Sequence, residues 1–135
     1  MENKSSRREF VSAAAGAGSM AALGAPANGL PMRPLGKTGQ MVSIMALGGA
    51  HIGGMADELE AIRMMHAAID EGVNFFDNAW DYHDGVSEER MGKALAMDGR
   101  RDKVFLMTKN CNRDYAGSMQ CLEESLRRLR TDHLD

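Results

Sequence analysis

Two short apolar segments, each ending at a charged side chain, most constrain the fold of this chain. Val73–Phe76 is followed directly by Asp77, and Tyr82 comes five positions later. Val104–Thr108 is followed in the same way by Lys109. Short segments that are apolar throughout are typical of parallel strands covered on both faces, and catalytic groups lie at the C-terminal strand ends of α/β barrels. The pattern therefore predicts that Asp77, Tyr82 and Lys109 lie at one functional edge of a sheet.

The segments before and between these strands predict alternating strands and helices. Met32–Ser43 has the pattern of a β-hairpin with glycines in its turn, and Ile44–Leu47 is predicted as the first strand of the main sheet. Leu134-Asp135 is expected to begin a fourth strand. Successive strand–helix units imply right-handed crossovers, so the sheet is predicted to be parallel.

Three helices are predicted between and after the strands. The first is expected to be capped by Asp57 and to end at Gly72, and the second to have Ser87 as its N-cap. Gly92 is expected to allow close packing of the second helix on a strand. The third is predicted from about Ser118 to Arg130, with the i,i+4 pairs Glu123–Arg127 and Glu124–Arg128 on its solvent-exposed face. Its buried seam is predicted to consist of Leu122, Leu126 and Leu129.

The region around the second strand resembles the aldo/keto reductase family. The family pattern is Asp, four residues, Tyr, a short Gly-containing loop, and a helix that opens with Glu and carries Gly. The matching positions are Asp77, Tyr82, Gly85, Ser87-Glu88-Glu89 and Gly92, with Lys109 closing the next strand. The whole set in this order is specific, whereas Asp-x4-Tyr alone is not. The resemblance implies an α/β fold: the first three β/α units of a (β/α)8 TIM barrel, preceded by a β-hairpin, as an incomplete barrel.

The resemblance also implies an oxidoreductase that transfers hydride between a nicotinamide cofactor and a carbonyl or alcohol substrate. The cofactor is expected to be NADP, with NAD as the alternative, and the substrate a small carbonyl compound. A free tyrosine has a pKa of about 10, and a nearby ammonium lowers the pKa of a phenol. In the implied mechanism, Tyr82 donates the proton, Lys109 tunes it, and Asp77 keeps Lys109 charged and oriented. The residues implied to contact the cofactor are Gly48, Gly49, Ala50 and Asp77.

Each of these side chains also has an ordinary structural interpretation. Asp77 could cap a turn, Tyr82 could be a loop aromatic, and Lys109 could be an exposed strand end. Trp80 could line a pocket or simply pack against neighbours. No metal is expected, because nothing in the sequence is placed to complete a site with the three other polar residues of this loop, Asp81, His83 and Asp84.

The composition is that of an ordinary globular protein, with 44% hydrophobic and 26% charged residues and a formal net charge of −3. No nucleic-acid partner is expected, since that function calls for a basic face. Cys111 and Cys121 lack zinc or redox spacing and are interpreted as semi-buried thiols, with a disulfide left open. The 12 methionines are interpreted mainly as core residues.

Residues 1–27 have the three-part layout of an export signal. Ser6–Val11 resembles the twin-arginine motif, and Ala25-Pro26-Ala27 offers a cleavage site. The apolar segment Phe10–Ala25 is too short and rich in glycine for a stable membrane span. The expected partner is the twin-arginine export machinery, and the expected location is periplasmic or exported. The alternative is a disordered Ala/Gly tail on a cytoplasmic protein.

Residues 28–31 are predicted as a linker, and residues 32–135 as the N-terminal part of the barrel. A complete barrel of this type needs about 250 residues. The resemblance implies a further catalytic histidine on the fourth strand, beyond Asp135, and His133 precedes that strand. We therefore expect the chain to represent the N-terminal part of a longer reductase. The alternatives are a truncated non-catalytic fragment and a reductase-like interaction scaffold.

Overall fold

The computed structural model describes residues 29–135, so the predicted signal at residues 1–27 lies outside the described residues. The chain has an α/β fold with two open sheets. Strands β1 (Met32–Pro34) and β2 (Met41–Ser43) form an antiparallel hairpin where the sequence predicts one. The second sheet is parallel, with the strand order β3 (Leu47–Gly48), β4 (Phe75–Asp77) and β5 (Phe105–Met107).

Three α-helices connect or follow the strands of the parallel sheet. Helix α1 (Glu58–Asp70) joins β3 to β4, α2 (Val86–Leu95) joins β4 to β5, and α3 (Tyr115–Leu129) follows β5. Short 3-10 segments cover Gly49–His51, Tyr82–Gly85 and Arg100–Lys103. None of the helices in residues 29–135 has the length and apolar character needed to cross a membrane.

The first strand of the parallel sheet lies later than the sequence predicts. Ile44 and Met45 do not belong to it, and their side chains are largely exposed. The amide of Ile44 instead donates to the carbonyl oxygen of Pro31 at 3.0 Å, which extends the pairing of the hairpin. The predicted start of this strand at Ile44 was therefore wrong, because the start of the segment extends the hairpin, whereas Leu47 belongs to β3.

Helix α1 begins and ends as predicted. The Asp57 carboxylate accepts from the amide of Leu59 at 2.8 Å, which satisfies a free donor of the first turn. At the other end, Gly72 has a φ of 93° and its amide donates to Ile69, while the amide of Val73 donates to Ala68. These two bonds form a Schellman motif, which requires a residue with positive φ at the position of Gly72.

The predicted cap of helix α2 was wrong. The helix begins at Val86, after Gly85, and no side chain caps it. Ser87 is fully buried, and its hydroxyl donates to the carbonyl oxygen of Gly49 at 2.6 Å. A serine followed by two glutamates has the composition of a helix start, but here the hydroxyl binds the loop that follows β3.

Helix α3 begins earlier and buries a different face than predicted. It starts at Tyr115, where the Asp114 carboxylate accepts from the amide of Gly117 at 2.9 Å. Leu122 of the predicted seam is 40% exposed, and Leu126 is only half-buried. Leu129 of the predicted seam is fully buried, and beside it the helix buries Cys121 and Ser125.

Helix α3 approaches helix α2 closely at Gly92. A Cβ atom at Gly92 would lie 2.1 Å from the carbonyl oxygen of Arg128 and 2.8 Å from the Cα of Leu129. Gly92 therefore permits helix–helix packing, and the prediction that it packs on a strand was wrong. Cys121 is buried and Cys111 is exposed, so the prediction that both are semi-buried was wrong. Both are free thiols.

The hydrophobic core lies between the parallel sheet and the helices. Phe76 and Leu106 are the fully buried centres of β4 and β5. The prediction that the methionines are mainly core residues was only partly confirmed. Met65 and Met91 are fully buried, but four others are exposed in the described part of the chain: Met45, Met64, Met97 and Met119.

The last two residues run along β5, where a fourth strand was predicted to begin. The amide of Asp135 donates to the carbonyl oxygen of Leu106 at 3.0 Å. Its carboxylate accepts in return from the amide of Leu106 at 2.9 Å, and Leu134 packs against the core. No strand is assigned there in residues 29–135, but these bonds place the chain next to β5.

Candidate functional site

The site is built where β4 and β5 end next to each other. Beyond Asp77, the amide of Asn78 donates to the carbonyl oxygen of Met107 at 2.9 Å. The amide of Trp80 then donates to the carbonyl oxygen of Lys109 at 3.0 Å. The backbone pairing thus continues past the assigned strands, and it brings Asp77 and Lys109 together although they are far apart in sequence.

The structure brings the three predicted catalytic residues together around one ammonium group. Lys109 Nζ donates to Asp77 Oδ1 and also to the carbonyl oxygen of Asn78, the latter at 2.6 Å. The same nitrogen lies 5.0 Å from the centroid of the Tyr82 ring. Lys109 therefore contacts an anion, a carbonyl dipole and the face of a phenol, all of which favour its charged form.

These contacts raise the pKa of Lys109 above its ordinary value of 10.5. Burial acts in the opposite direction, because it disfavours the charged form. The hydrogen bond that Lys109 donates to Asp77, the charge of Asp77 and the proximity of Tyr82 together outweigh it. Lys109 is therefore an ammonium throughout the neutral pH range, held beside the tyrosine that the sequence pattern singles out.

Tyr82 opens a tight turn with an unusual backbone. His83 and Asp84 have φ values of 51° and 55°, and Gly85 follows with a φ of 91°. A left-handed conformation costs an L-residue about 1–2 kcal/mol, although Asp and His adopt it more readily than most. Such strain persists only where the surroundings hold the backbone in place, and it is concentrated at functional sites.

The turn is held against the loop that follows β3. His83 Nε2 lies 2.8 Å from the carbonyl oxygen of Ala50, and it must be the donor because a carbonyl only accepts. The ring also fills the space over Gly53 and Gly54, where added Cβ atoms would lie 2.9 Å and 2.7 Å from the nearest ring atoms. This partner of His83 was not predictable from local sequence, since the contact joins residues of two different loops.

The three predicted cofactor residues of this first loop differ in their accessibility. Gly48 is exposed, and a Cβ atom there would meet no atom within 4 Å. Its backbone is therefore open to close approach by a ligand. Gly49 is buried, and a Cβ atom there would lie 2.7 Å from the side chain of Asn78, so the fold itself requires a small residue. Ala50 is half-buried.

A buried ion pair beneath the site was missed by the sequence analysis. Glu88 is fully buried, accepts from the hydroxyl of Thr108 at 2.7 Å and lies 3.3 Å from Arg128 Nη1. Arg128 was predicted to lie on a solvent-exposed face, which was wrong. The sequence did contain a signal that Glu88 is buried. Glu88 lies three and seven positions before the buried Met91 and Leu95, and these spacings place all three on one face of the helix.

Trp80 packs against α3. Its indole Nε1 donates to Glu124 Oε2 at 2.9 Å, and the guanidinium carbon of Arg128 lies 5.1 Å from its ring centre. The predicted Glu124–Arg128 pair is present at 3.4 Å, although it is half-buried.

Among residues 29–135, no group of three or more His, Cys, Asp or Glu side chains is placed to hold a metal ion.

Comparison with known proteins gives one consistent result. The model of the Aldo/keto reductase family matches residues 44–135. The uncharacterized oxidoreductase YrpG of Bacillus subtilis is 38% identical over 120 residues, which are 75% of this chain and 37% of that protein. The chain spans less than two fifths of the length of curated relatives such as YrpG.

Solved structures agree. The holo form of the aldo-keto reductase AKR11C1 from Bacillus halodurans has a TM-score of 0.70 and 33% identity, and the match covers 78% of this chain and 38% of that one. An aldo/keto reductase from Klebsiella pneumoniae, solved in complex with NADP and acetate, has a TM-score of 0.66 and 35% identity. That match covers 72% of this chain and 35% of the Klebsiella protein.

Proposed function

Because the chain belongs to the aldo/keto reductase family, we propose that it provides the proton-transfer residues of an NADP-dependent carbonyl reductase. The observation that carries this proposal is the contact of Lys109 with both Asp77 and the ring of Tyr82. Reduction of a carbonyl needs a proton donor beside the developing alkoxide, and a tyrosine beside an ammonium is suited to that role.

In this proposal each of the three side chains has one role. The hydroxyl of Tyr82 gives its proton to the substrate oxygen, and the resulting phenolate is stabilised by the adjacent Lys109 ammonium. Asp77 holds that ammonium in place and keeps it charged. In the oxidation direction, the phenolate accepts the proton from the alcohol.

NADP is the proposed cofactor because the Klebsiella relative was solved with it. The cofactor supplies the hydride when it is bound. Of the residues in this chain, Gly48 and Ala50 are the proposed contacts from the first loop, and Asp77 is the proposed contact from β4. The open space above Gly48 fits a close backbone approach, whereas Gly49 serves mainly the packing of Asn78.

The test is the replacement Tyr82→Phe in the full-length enzyme. It removes only the hydroxyl, so we expect kcat for carbonyl reduction to fall by at least about 100-fold. The Kd for NADPH, measured by quenching of protein fluorescence, is expected to change little. Tyr115→Phe is the matched control, since Tyr115 is 82% exposed and lies outside the site.

Two results would count against this assignment. Near-normal turnover by Tyr82→Phe would exclude Tyr82 as the proton donor. An equal loss in Tyr115→Phe would show that the assay responds to removal of any tyrosine hydroxyl rather than to the site.

A further inference from the structure

The segment that carries Tyr82 has a strained backbone that other elements must stabilise. We define the tyrosine loop as residues 78–85, from the end of β4 to the start of α2. It includes three consecutive residues with positive φ, His83, Asp84 and Gly85. Because these backbone conformations are strained, contacts with other elements must hold the loop in this conformation.

Arg128 of helix α3 contacts both the early and the late part of this loop. Its Nη1 donates to the carbonyl oxygen of Trp80 at 2.9 Å. Its guanidinium carbon lies against Gly85, where a Cβ atom would be only 2.4 Å away. Tyr82 lies between these two contacts along the chain, so Arg128 spans the part of the loop that bears the phenol.

Arg128 is itself held in one orientation. Its guanidinium lies 3.3 Å from Glu88 Oε2 and 3.4 Å from Glu124 Oε2, and it stacks on the ring of Trp80. Only 12% of its side chain is exposed. A planar guanidinium can meet several acceptors at once in this way, which an ammonium on a flexible chain cannot do.

The same set of contacts reaches the strand that carries the lysine. Glu88, which pairs with Arg128 through Oε2, accepts through Oε1 from the hydroxyl of Thr108 at 2.7 Å. Thr108 directly precedes Lys109. A continuous set of hydrogen bonds therefore connects the tyrosine loop, through Arg128 and Glu88, to the end of β5.

We propose that Arg128 is a positioning residue that fixes the tyrosine loop relative to β5, so that the phenol of Tyr82 stays beside Lys109. This inference rests on the proposed function. The geometry points to positioning, because Arg128 contacts the tyrosine loop at both Trp80 and Gly85 and is joined through Glu88 to Thr108 at the end of β5. What Arg128 adds is a fixed distance between the tyrosine loop and the end of β5.

The experiment compares Arg128→Lys with Arg127→Lys in the full-length enzyme. Both variants retain the charge, but Arg127 is exposed and serves as the matched control. Lysine can still neutralise Glu88, yet it cannot also hold Trp80 and Glu124. We expect kcat of Arg128→Lys to fall by about 10- to 100-fold, as for a small misplacement of a reacting group. The Kd for NADPH and the unfolding temperature are expected to stay near those of Arg127→Lys.

Trp80 supplies a readout that does not depend on turnover. With 5-fluorotryptophan incorporated, and the Trp80 resonance assigned by Trp80→Phe, the fluorine signal should shift in Arg128→Lys but not in Arg127→Lys. Glu124→Gln provides a milder second variant, because it preserves the shape of the side chain and leaves the Arg128–Glu88 pair intact. It should lower kcat in the same direction by a smaller factor.

Unchanged kcat and an unchanged fluorine signal in Arg128→Lys would overturn the proposal. A parallel fall in kcat, NADPH affinity and unfolding temperature would also overturn it, since that pattern marks a general structural role. Tyr82→Phe is measured alongside. If it abolishes turnover while Arg128→Lys does not lower kcat, the proposed function stands and only the role of Arg128 is excluded.

Discussion

At the scale of single residues, the site depends on one ammonium that is shared between an acid and a phenol. Lys109 donates to Asp77 and lies over the ring of Tyr82. Residue types and strand-end positions were sufficient to predict that these three meet. The Asn78 carbonyl, which also accepts from Lys109, was not predictable, because a backbone acceptor has no sequence signature.

The replacement Asp77→Asn tests how the carboxylate controls Lys109. It removes the charge and weakens the hydrogen bond that raise the pKa of Lys109, while burial, which lowers it, remains. The pKa of Lys109 should therefore fall. The alkaline limb of the pH profile of kcat should move to lower pH, and the profile is measured in overlapping buffers. An unshifted alkaline limb would show that this limb does not report Lys109.

The same pair contributes to stability with a defined pH dependence. Because the pKa of Lys109 is higher in the folded state, its stabilising effect is complete below the ordinary value of 10.5 and is lost as the pH rises through the folded value. The free energy lost in Asp77→Asn should be below about 1 kcal/mol, since Lys109 is 40% exposed. Urea unfolding at neutral and strongly alkaline pH should show this difference shrinking at high pH.

At the scale of elements, the contact between α2 and α3 sets the position of Arg128. Gly92 lies against the backbone of Arg128 and Leu129. An alanine in a helix interior normally stabilises it by about 0.5–1 kcal/mol relative to glycine. At Gly92 the added methyl would clash with backbone that cannot easily move, so overpacking should outweigh this gain.

Gly92→Ala is therefore expected to destabilise the protein by about 1–3 kcal/mol. The measurement is the free energy of unfolding in urea. Gly48→Ala provides the comparison, because its Cβ would meet nothing within 4 Å and its φ is −88°. A stabilised Gly92→Ala variant would mean that the two helices separate easily, and the close packing of α2 on α3 would lose its importance.

Local patterns predicted some elements well and others poorly, for identifiable reasons. Asp57 and Gly72 delimit α1 as expected, since capping depends on residues close in sequence. Ser87 and Arg128 were assigned wrongly because their partners, Gly49 and Glu88, lie about 40 positions away. A polar side chain with a distant buried partner has the same local pattern as one that faces solvent.

At the scale of the whole molecule, the family and the parallel order of strands followed from a few residues. The strand ends carry Asp77 and Lys109 on neighbouring strands, and the proposed proton donor lies in the loop between β4 and α2. The proposed acid–base residues thus come from two adjacent strand–helix units.

We also propose that residues 1–27 direct the folded protein to the twin-arginine export machinery. The motif Ser6–Val11 supports this proposal, and a route that carries folded proteins suits an enzyme that binds its cofactor before export. The double replacement Arg7→Lys with Arg8→Lys retains both charges but removes the guanidinium groups. We expect the protein to remain in the cytoplasm, as measured by immunoblotting of fractionated cells.

The control for this experiment is Lys4→Gln, which removes a positive charge from the same segment but leaves both arginines. If the arginines are recognised as such, Lys4→Gln is exported and the double-lysine variant is not. If only positive charge matters, the order is reversed, because the double-lysine variant keeps the charge that Lys4→Gln loses. Equal export of both variants and the unmodified chain would show that the arginine pair has no role in localisation.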